Sequence, residues 1–262
     1  MSEQNQAGDK KNLKVSACVI TLNEEENIER ALRSLSFVDE IVLVDSGSID
    51  KTVELAKKYT DRIYHRDWSG FTDQRNFAID KCENDWVIPL DADEEITPEC
   101  RDKIISILKE GTDKTWFKIR RKEHFNSVHM THGIDIPSEQ NRLFRKSKGR
   151  YAGNVHEYPR MEGEQGYIDE PINHFSYKRF GEMVDRTKSY AKLAAEEKFR
   201  NGERRKYFYK YGSGAAQLFK SYITHFGFLD GLYGLYRSIG NGLEFYYRQD
   251  ILYKLWKKDE KR

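Results

Sequence analysis

Ile41-Val42-Leu43-Val44-Asp45-Ser46-Gly47-Ser48 is a run of aliphatic residues halted by a polar turn with a glycine. A run that is apolar at every position, without alternation, suits a parallel strand covered on both faces. The turn leads into a helix-like segment over about Asp50–Lys58. Outward from this unit the pattern repeats. Val15–Thr21 is a β-branched run followed by Asn23 and a helix-like Glu25–Leu35. On the other side, Arg62–His65 reads as a third strand, Thr72–Lys81 as a helix and Trp86–Leu90 as a fourth strand, after which Thr97-Pro98 opens a helix to Lys109. Repeated strand–helix units predict an α/β fold, with a Rossmann-like, mostly parallel sheet and helices on both faces.

After Gly111 the pattern changes to short strand-like pieces, Trp116–Arg120, Asn141–Arg145, Tyr151–Val155 and Ile172–Ser176. From Phe180 the chain reads as helical, and Leu232, Tyr236, Ile239, Leu243 and Tyr246 recur at spacings that put them on one face. The expected organisation is a loose tail over 1–11, an α/β domain over 12–177 with halves 12–111 and 112–177, and a helical extension over 178–262. The 262 residues include 38% hydrophobic and 34% charged residues with 5 Pro and 18 Gly, which excludes collagenous and broadly disordered chains. The most apolar long region, Ala215–Gly240, still carries Lys220, His225, Asp230 and Arg237, so no spanning helix is expected. Met1–Lys11 lacks the apolar core of a secretory signal, the 3 cysteines form no CxxC pair, and no Asn-x-Ser/Thr acceptor occurs. These features point to the cytosol.

The net charge of +2 conceals an asymmetry, because residues 178–262 hold 19 Lys/Arg against 10 Asp/Glu and 18 of the 34 aromatic residues. A basic, aromatic helical segment suits an anionic membrane surface; a packing face and nucleic acid are the competing readings. Peripheral attachment to the inner face of the cytoplasmic membrane is the expectation, with no nucleic acid as partner and self-association through the C-terminal helices as a further reading.

Several familiar motifs fail. No GxGxxG follows the first strand, Gly47–Thr52 lacks the Gly-Lys pair of a phosphate loop, and His156-Glu157-Tyr158-Pro159-Arg160 lacks the second His of a zinc protease. Asp91-Ala92-Asp93-Glu94 follows the fourth strand directly, at the sheet edge where open α/β folds bind ligands. Two carboxylates two residues apart can serve one Mg²⁺ or Mn²⁺ shared with substrate phosphates, or can simply mark an acidic helix N-terminus.

Val19-Ile20-Thr21-Leu22-Asn23-Glu24-Glu25, Ile41 through Thr52, Asp73-Gln74-Arg75-Asn76 and Asp91-Ala92-Asp93-Glu94, in this order and spacing, resemble the signatures of the family 2 glycosyltransferases of the GT-A fold. The resemblance covers about residues 14–176. It implies a nucleotide-sugar donor, most often a UDP-sugar, held across the strand ends by Thr21, Asn23, Glu24, Asp45, Ser46 and Arg75. It further implies Asp93 on a divalent metal, Asp91 on the ribose or near the metal, and one of Arg142 or Arg145 on the diphosphate. His174 is a third metal ligand or a satisfied core histidine. Gly153-Asn154-Val155-His156-Glu157 lies where the family places its catalytic base; many members carry Glu-Asp there, and Glu157 is the choice here, with His156 as its orienter or its rival.

No Gln-x-x-Arg-Trp segment, the mark of processive polysaccharide synthases in the family the chain resembles, follows the acceptor region, so the resemblance implies addition of a single sugar. Gly227-Phe228-Leu229-Asp230-Gly231-Leu232-Tyr233-Gly234 is similar to the subgroup that glucosylates the inner core of lipopolysaccharide, a lipid-linked glycan acceptor. The alternatives are a sugar nucleotidyltransferase, whose Gly-rich basic first loop is missing here, and a catalytically silent membrane-associated adaptor.

Overall fold

The apolar run of β1 (Val15–Thr21) is buried along almost its whole length because it lies at the centre of a parallel layer. The computed structural model describes residues 14–134, 136–153, 158–204 and 208–260. β2 (Glu40–Asp45) and β4 (Trp86–Asp91) flank β1, and β3 (Ile63–His65) lies outside β2, all parallel. Register sets Thr21 beside Asp45 and Ile20 beside Asp91, so the carboxyl ends of three strands finish level. Helices α1 (Ile28–Ser34), α2 (Thr52–Ala56), α3 (Phe71–Lys81) and α4 (Pro98–Glu110) connect and cover them. Val19, Leu32, Leu43, Ile88 and Ile104 belong to the core on one face; Cys18, Val42, Val44, Ile79 and Phe144 belong to the core on the other. The Thr97 hydroxyl accepts from the Cys100 N–H at 3.2 Å and Pro98 occupies the first turn, which fixes the start of α4.

The expected parallel order holds for β1–β4, and beyond them strand direction is mixed. The second half contributes β5 (Glu94–Ile96), β6 (Trp116–Phe125), β7 (Val128–Met130), β8 (Ser138–Arg145) and β11 (Gln165–Tyr177), giving the order β3-β2-β1-β4-β8-β6-β11-β5. β8 runs antiparallel to both β4 and β6, β11 parallel to β6, and β5 antiparallel to β11. A separate hairpin pairs β9 (Gly149–Ala152) with β10 (Tyr158–Met161). Only Ala92 and Asp93 separate β4 from β5, although the sheet order sets them four strands apart. Three residue steps reach about 11 Å, whereas four flat strand spacings need about 19 Å, so the sheet must curl. The curl carries Asp93 to β11, where its carbonyl accepts from the Phe175 N–H at 2.9 Å.

The C-terminal part is helical as expected: α5 (Phe180–Arg200), α6 (Tyr209–Phe219), a π-helical turn Lys220–Thr224, a 3₁₀ turn Gly227–Asp230 and α7 (Gly231–Asp259). α7 packs along both α5 and α6. Glycine allows the second contact, since a Cβ on Gly214 would meet the Gly242 carbonyl at 3.0 Å. Lys210 and Asp250 close it with a 2.6 Å ion pair, Lys210 being buried. The expected single face on α7 divides: Tyr236 packs on Phe125 and Phe180, Ile239, Leu243 and Tyr246 turn toward α6, and Leu232 stays exposed. Among the described residues no helix is long and apolar enough to cross a membrane.

Candidate donor site

A cleft of about 910 Å³ opens at the level carboxyl ends of β1 and β4. Its floor holds Thr21, Ser46, Arg75, Asp91 and Asp93, and its far wall is α5, through Arg186 and Tyr190. The helical extension is therefore part of the site, which its sequence did not reveal. Trp68 meets Phe71 edge-on at 4.6 Å, and Phe71 stacks against Tyr190 at 6.2 Å, so aromatic rings line one side.

The first two strand ends are locked to each other. Asn23 has φ 54°, a left-handed conformation that Asn tolerates. Its N–H donates to the Ser48 hydroxyl at 2.8 Å while its side-chain oxygen accepts from the Ile49 N–H at 2.9 Å. Asp45 accepts from the N–H groups of Gly47 and Ser48 at 2.9 and 3.0 Å and from the Ser48 hydroxyl at 2.5 Å, so it shapes the turn that presents Ser46. The buried Thr21 hydroxyl has no hydrogen-bond partner among the described residues and belongs to the cleft lining. An unpaired buried hydroxyl costs on the order of 1–3 kcal/mol, a deficit that a ligand would relieve.

Beneath the floor runs a ladder of alternating charge. Asp91 is paired with Arg75 at 2.6 Å and with Arg142 at 2.5 Å. Arg142 also reaches the buried Glu94 at 2.7 Å, and Arg121 spans Glu94 at 3.4 Å and Glu123 at 2.6 Å. Glu123 holds the His174 ring nitrogen Nδ1 at 2.7 Å and accepts from Ser176 at 2.9 Å. His174 Nε2 stands 3.5 Å from Asp93, and Arg186 joins Asp93 at 3.1 Å to Glu24 at 3.0 Å. Burial works against both aspartates, but Arg142 and Arg75 hold Asp91 well below the usual carboxylate range, and His174 and Arg186 hold Asp93 below it. Burial likewise opposes charge on His174, yet Asp93 and Glu123 outweigh it and push its pKa up to about 10. Glu24 goes the other way, raised by burial and by Asp93.

Two expected donor contacts are corrected. Arg142 is buried below Asp91, where it neutralises Asp91 and Glu94 instead of facing a diphosphate. Arg145 lies at the opposite end of the strands, in register with Trp86 and paired with Asp85 at 3.2 Å. β8 runs antiparallel to β4, so its last residue meets the first of β4. His156 and Glu157 lie outside the described residues; Gly153 just before them accepts from the Thr72 hydroxyl on α3 at 2.5 Å.

Among the described residues no three His, Cys, Asp or Glu side chains converge into a metal cage. Both Asp91 oxygens are paired with guanidinium groups. Asp93 and His174 nevertheless fit a divalent cation whose other positions a diphosphate would fill. Neighbouring ligands on such an ion lie about 3 Å apart, close to the Asp93–His174 spacing. The Glu123 carboxylate on the other imidazole nitrogen is the partner that a metal-binding histidine ordinarily has.

Residues 16–162 match the family model described as glycosyl transferase family 2, and the chain belongs to that family. A Rhizobium meliloti (strain 1021) protein named lipopolysaccharide core biosynthesis glycosyltransferase LpsC is 29% identical over 204 residues, 75% of this chain and 76% of its own. Uncharacterized glycosyltransferase RC0292 of Rickettsia conorii (strain ATCC VR-613 / Malish 7) is 27% identical over 240 residues, 86% of this chain and 85% of its own. Among solved structures, S. aureus TarS 1-349 is similar over 94% of this chain and 92% of its own, at TM-score 0.46 and 15% identity. Glucosyl-3-phosphoglycerate synthase from Mycobacterium tuberculosis, solved in complex with Mn²⁺ and UDP-glucose, covers 45% of this chain and 45% of its own at TM-score 0.36 and 23% identity.

Proposed function

We propose that this member of glycosyl transferase family 2 transfers one hexose, with inversion at the sugar C1, from a UDP-hexose to a lipid-linked glycan of the lipopolysaccharide inner-core kind. The observation that carries the donor half of this reading is the convergence of Thr21, Arg75, Asp93, His174 and Arg186 on one cleft at level strand ends. The core-biosynthesis name of the Rhizobium relative supports the acceptor half.

In this reading Thr21 and Ser46 meet the nucleoside, and the rings of Trp68 and Tyr190 flank the bound donor. Arg75, Arg121 and Arg186 surround the diphosphate with positive charge, where hydrogen bonds to charged groups are strongest. Asp93 and His174 would hold Mg²⁺ or Mn²⁺, which when bound would supply Lewis-acid stabilisation of the departing nucleoside diphosphate. Asp91, clamped by two arginines, serves as an oriented acceptor for the ribose rather than as a mobile base. Glu157, with His156 as its rival, takes the proton of the acceptor hydroxyl as that oxygen attacks from the face opposite the diphosphate. The enzyme works at the cytoplasmic face of the inner membrane as a peripheral protein.

Thermal melting with UDP-, GDP- and CMP-sugars, each with and without Mn²⁺, tests the donor reading, since a ligand that binds only the folded state raises its melting temperature. A UDP-hexose should stabilise the protein and Mn²⁺ should enlarge the shift. Equal shifts in EDTA, or none with any UDP-sugar, would overturn it. Transfer of labelled hexose to deacylated and intact lipid-linked cores tests the acceptor.

A further inference from the structure

The corner where α6 turns into α7 is built inside out. Ser221, Gly227, Gly234 and Ser238 are buried in it, while Phe219, Ile223, Phe226, Phe228, Leu229 and Leu232 are exposed. A domain that meets only water would put its large apolar side chains inside and its small and hydroxyl residues outside. Here the small residues let the 3₁₀ turn sit flush on α7, because a Cβ on Gly234 would collide with the Gly227 carbonyl oxygen. Ser238 then donates to the Gly234 carbonyl at 2.8 Å and pairs with the Ser221 hydroxyl at 3.1 Å, so the inside is satisfied by hydroxyls and closed to the rings.

One of these rings, Phe226, is held outward by strained backbone. Phe226 adopts φ 56°, a left-handed conformation that is costly for a bulky residue, with its side chain 55% exposed. The chain reaches it through a π-helical turn, itself an uncommon element. The corner is nevertheless anchored to the domain. Asp230 accepts from the N–H groups of Thr131 and His132 at 2.9 and 2.8 Å, and the Gly133 N–H donates to the His225 carbonyl at 2.9 Å.

Charge selects the occupant of this surface. Between residues 208 and 243 the sequence contains one carboxylate, Asp230, and its side chain is turned inward with 5% exposure. Lys220, by contrast, stands exposed among the apolar groups. An apolar knob that carries an exposed lysine and no outward carboxylate suits an anionic lipid interface, where rings and aliphatic groups enter the acyl boundary and the cation remains at the headgroups. Its place in the fold agrees. Phe125, at the carboxyl end of β6, packs on Tyr233 beside the corner, and two residues before it Glu123 holds His174 of the cleft. Knob and cleft therefore share the carboxyl end of the sheet.

We propose that this corner, with Phe219, Ile223, Phe226, Phe228, Leu229 and Leu232 at its tip, is the membrane-inserting element that seats the protein on an anionic bilayer. The inference rests on the lipid-linked acceptor reading and names the surface that would bring the cleft to such an acceptor. The test is flotation of the full chain with vesicles of phosphatidylethanolamine containing 0, about 15 and about 30% phosphatidylglycerol, with UDP and Mn²⁺ binding measured in parallel. Because the substituted groups are exposed, Phe228→Ser/Leu229→Ser/Leu232→Ser should keep its melting temperature and its UDP affinity while its partition onto anionic vesicles falls at least tenfold. Lys220→Gln should lose the dependence on anionic lipid yet retain binding that high salt does not remove. Flotation of the triple variant equal to wild type overturns the proposal, as does a wild type that ignores anionic vesicles. So does a wild-type dimer that the triple variant converts to monomer without any vesicle binding, which would make the corner a self-association surface. Loss of UDP binding by the wild type would instead sink the donor reading and leave flotation to be judged separately.

Discussion

Glu123→Gln tests whether His174 is built to hold a cation. Glu123 is buried, with the Arg121 guanidinium in ion-pair contact at 2.6 Å on one oxygen and the His174 ring at 2.7 Å on the other. A glutamine offers one acceptor oxygen in place of two. If its oxygen faces His174, its amide group meets the Arg121 guanidinium donor to donor. If its amide group faces His174 it donates to Nδ1, which drives the ring proton to Nε2, the nitrogen that would face the cation. Either arrangement removes the charge that makes the imidazole a strong ligand. Loss of such a partner typically costs 10–100-fold in metal affinity, about 1.4–2.7 kcal/mol. Removing one member of a buried pair also costs about 3–5 kcal/mol of stability, so the variant must first be shown by circular dichroism to be folded at the working temperature. Free Mn²⁺ measured by electron paramagnetic resonance, with UDP saturating, reports the affinity directly. A dissociation constant within twofold of wild type in a folded variant would refute the role given to Glu123 and, with it, the placing of His174 on the cation.

Four further outcomes are expected. Arg186→Gln should weaken UDP binding about 10–100-fold by calorimetry, the worth of a hydrogen bond to a charged group, while leaving the Mn²⁺ requirement in place. Arg145→Ala should leave UDP affinity within twofold of wild type, because Arg145 lies with Asp85 at the far end of the sheet; a larger loss would restore it to the donor site. Burial alone would raise the Asp230 carboxyl, but hydrogen bonds from His132 and Thr131 lower it, so its stabilisation is complete above about pH 4 and is lost as the pH falls further. The melting-temperature gap between wild type and Asp230→Asn should accordingly be widest near pH 6 and close toward pH 3. Gly234→Ala should lower stability by about 1–3 kcal/mol through collision with the Gly227 carbonyl, whereas Gly212→Ala, in open space on α6, should raise it by about 0.5–1 kcal/mol; thermal melts showing the same sign for both would refute the packing argument.

The donor half was legible because its strands are buried on both faces, and such strands must be mostly apolar, as Ala17–Ile20 and Ile41–Val44 are. The second half was less so. β5 and β7 have three residues each, too few for any periodicity to appear, and β6 extends five residues past the expected Arg120 through a charged stretch. That stretch, Arg121 and Glu123 in particular, reads as surface in sequence, yet each charge is matched by a partner distant in the chain. Arg186 and Tyr190 were missed for the same reason: a basic and an aromatic residue one turn apart on a long helix look like a solvated face. Only the curl that brings α5 over Asp93 reveals their place.

That curl also explains why the cleft needs so many charges beneath it. The chain passes from the end of β4 to Asp93 beside β11 in two residue steps, and the space beside Asp91 holds the buried Arg142 and Glu94 instead of apolar side chains. Buried charges are tolerable only when paired, and the ladder from Arg75 through Asp91, Arg142, Glu94, Arg121 and Glu123 to His174 alternates sign at every step. Each member fixes the rotamer of the next, so Asp91 and His174 are oriented before any ligand arrives. Asp93 and Glu24 differ in having Arg186, a residue of the opposite wall, as a shared partner. An anionic diphosphate entering the cleft competes with those two carboxylates for Arg186, whose side chain is more exposed than those of Arg75 and Arg121. Ligand binding on this protein should therefore move α5 more than the strands, and hydrogen exchange with and without UDP should change most over 180–200.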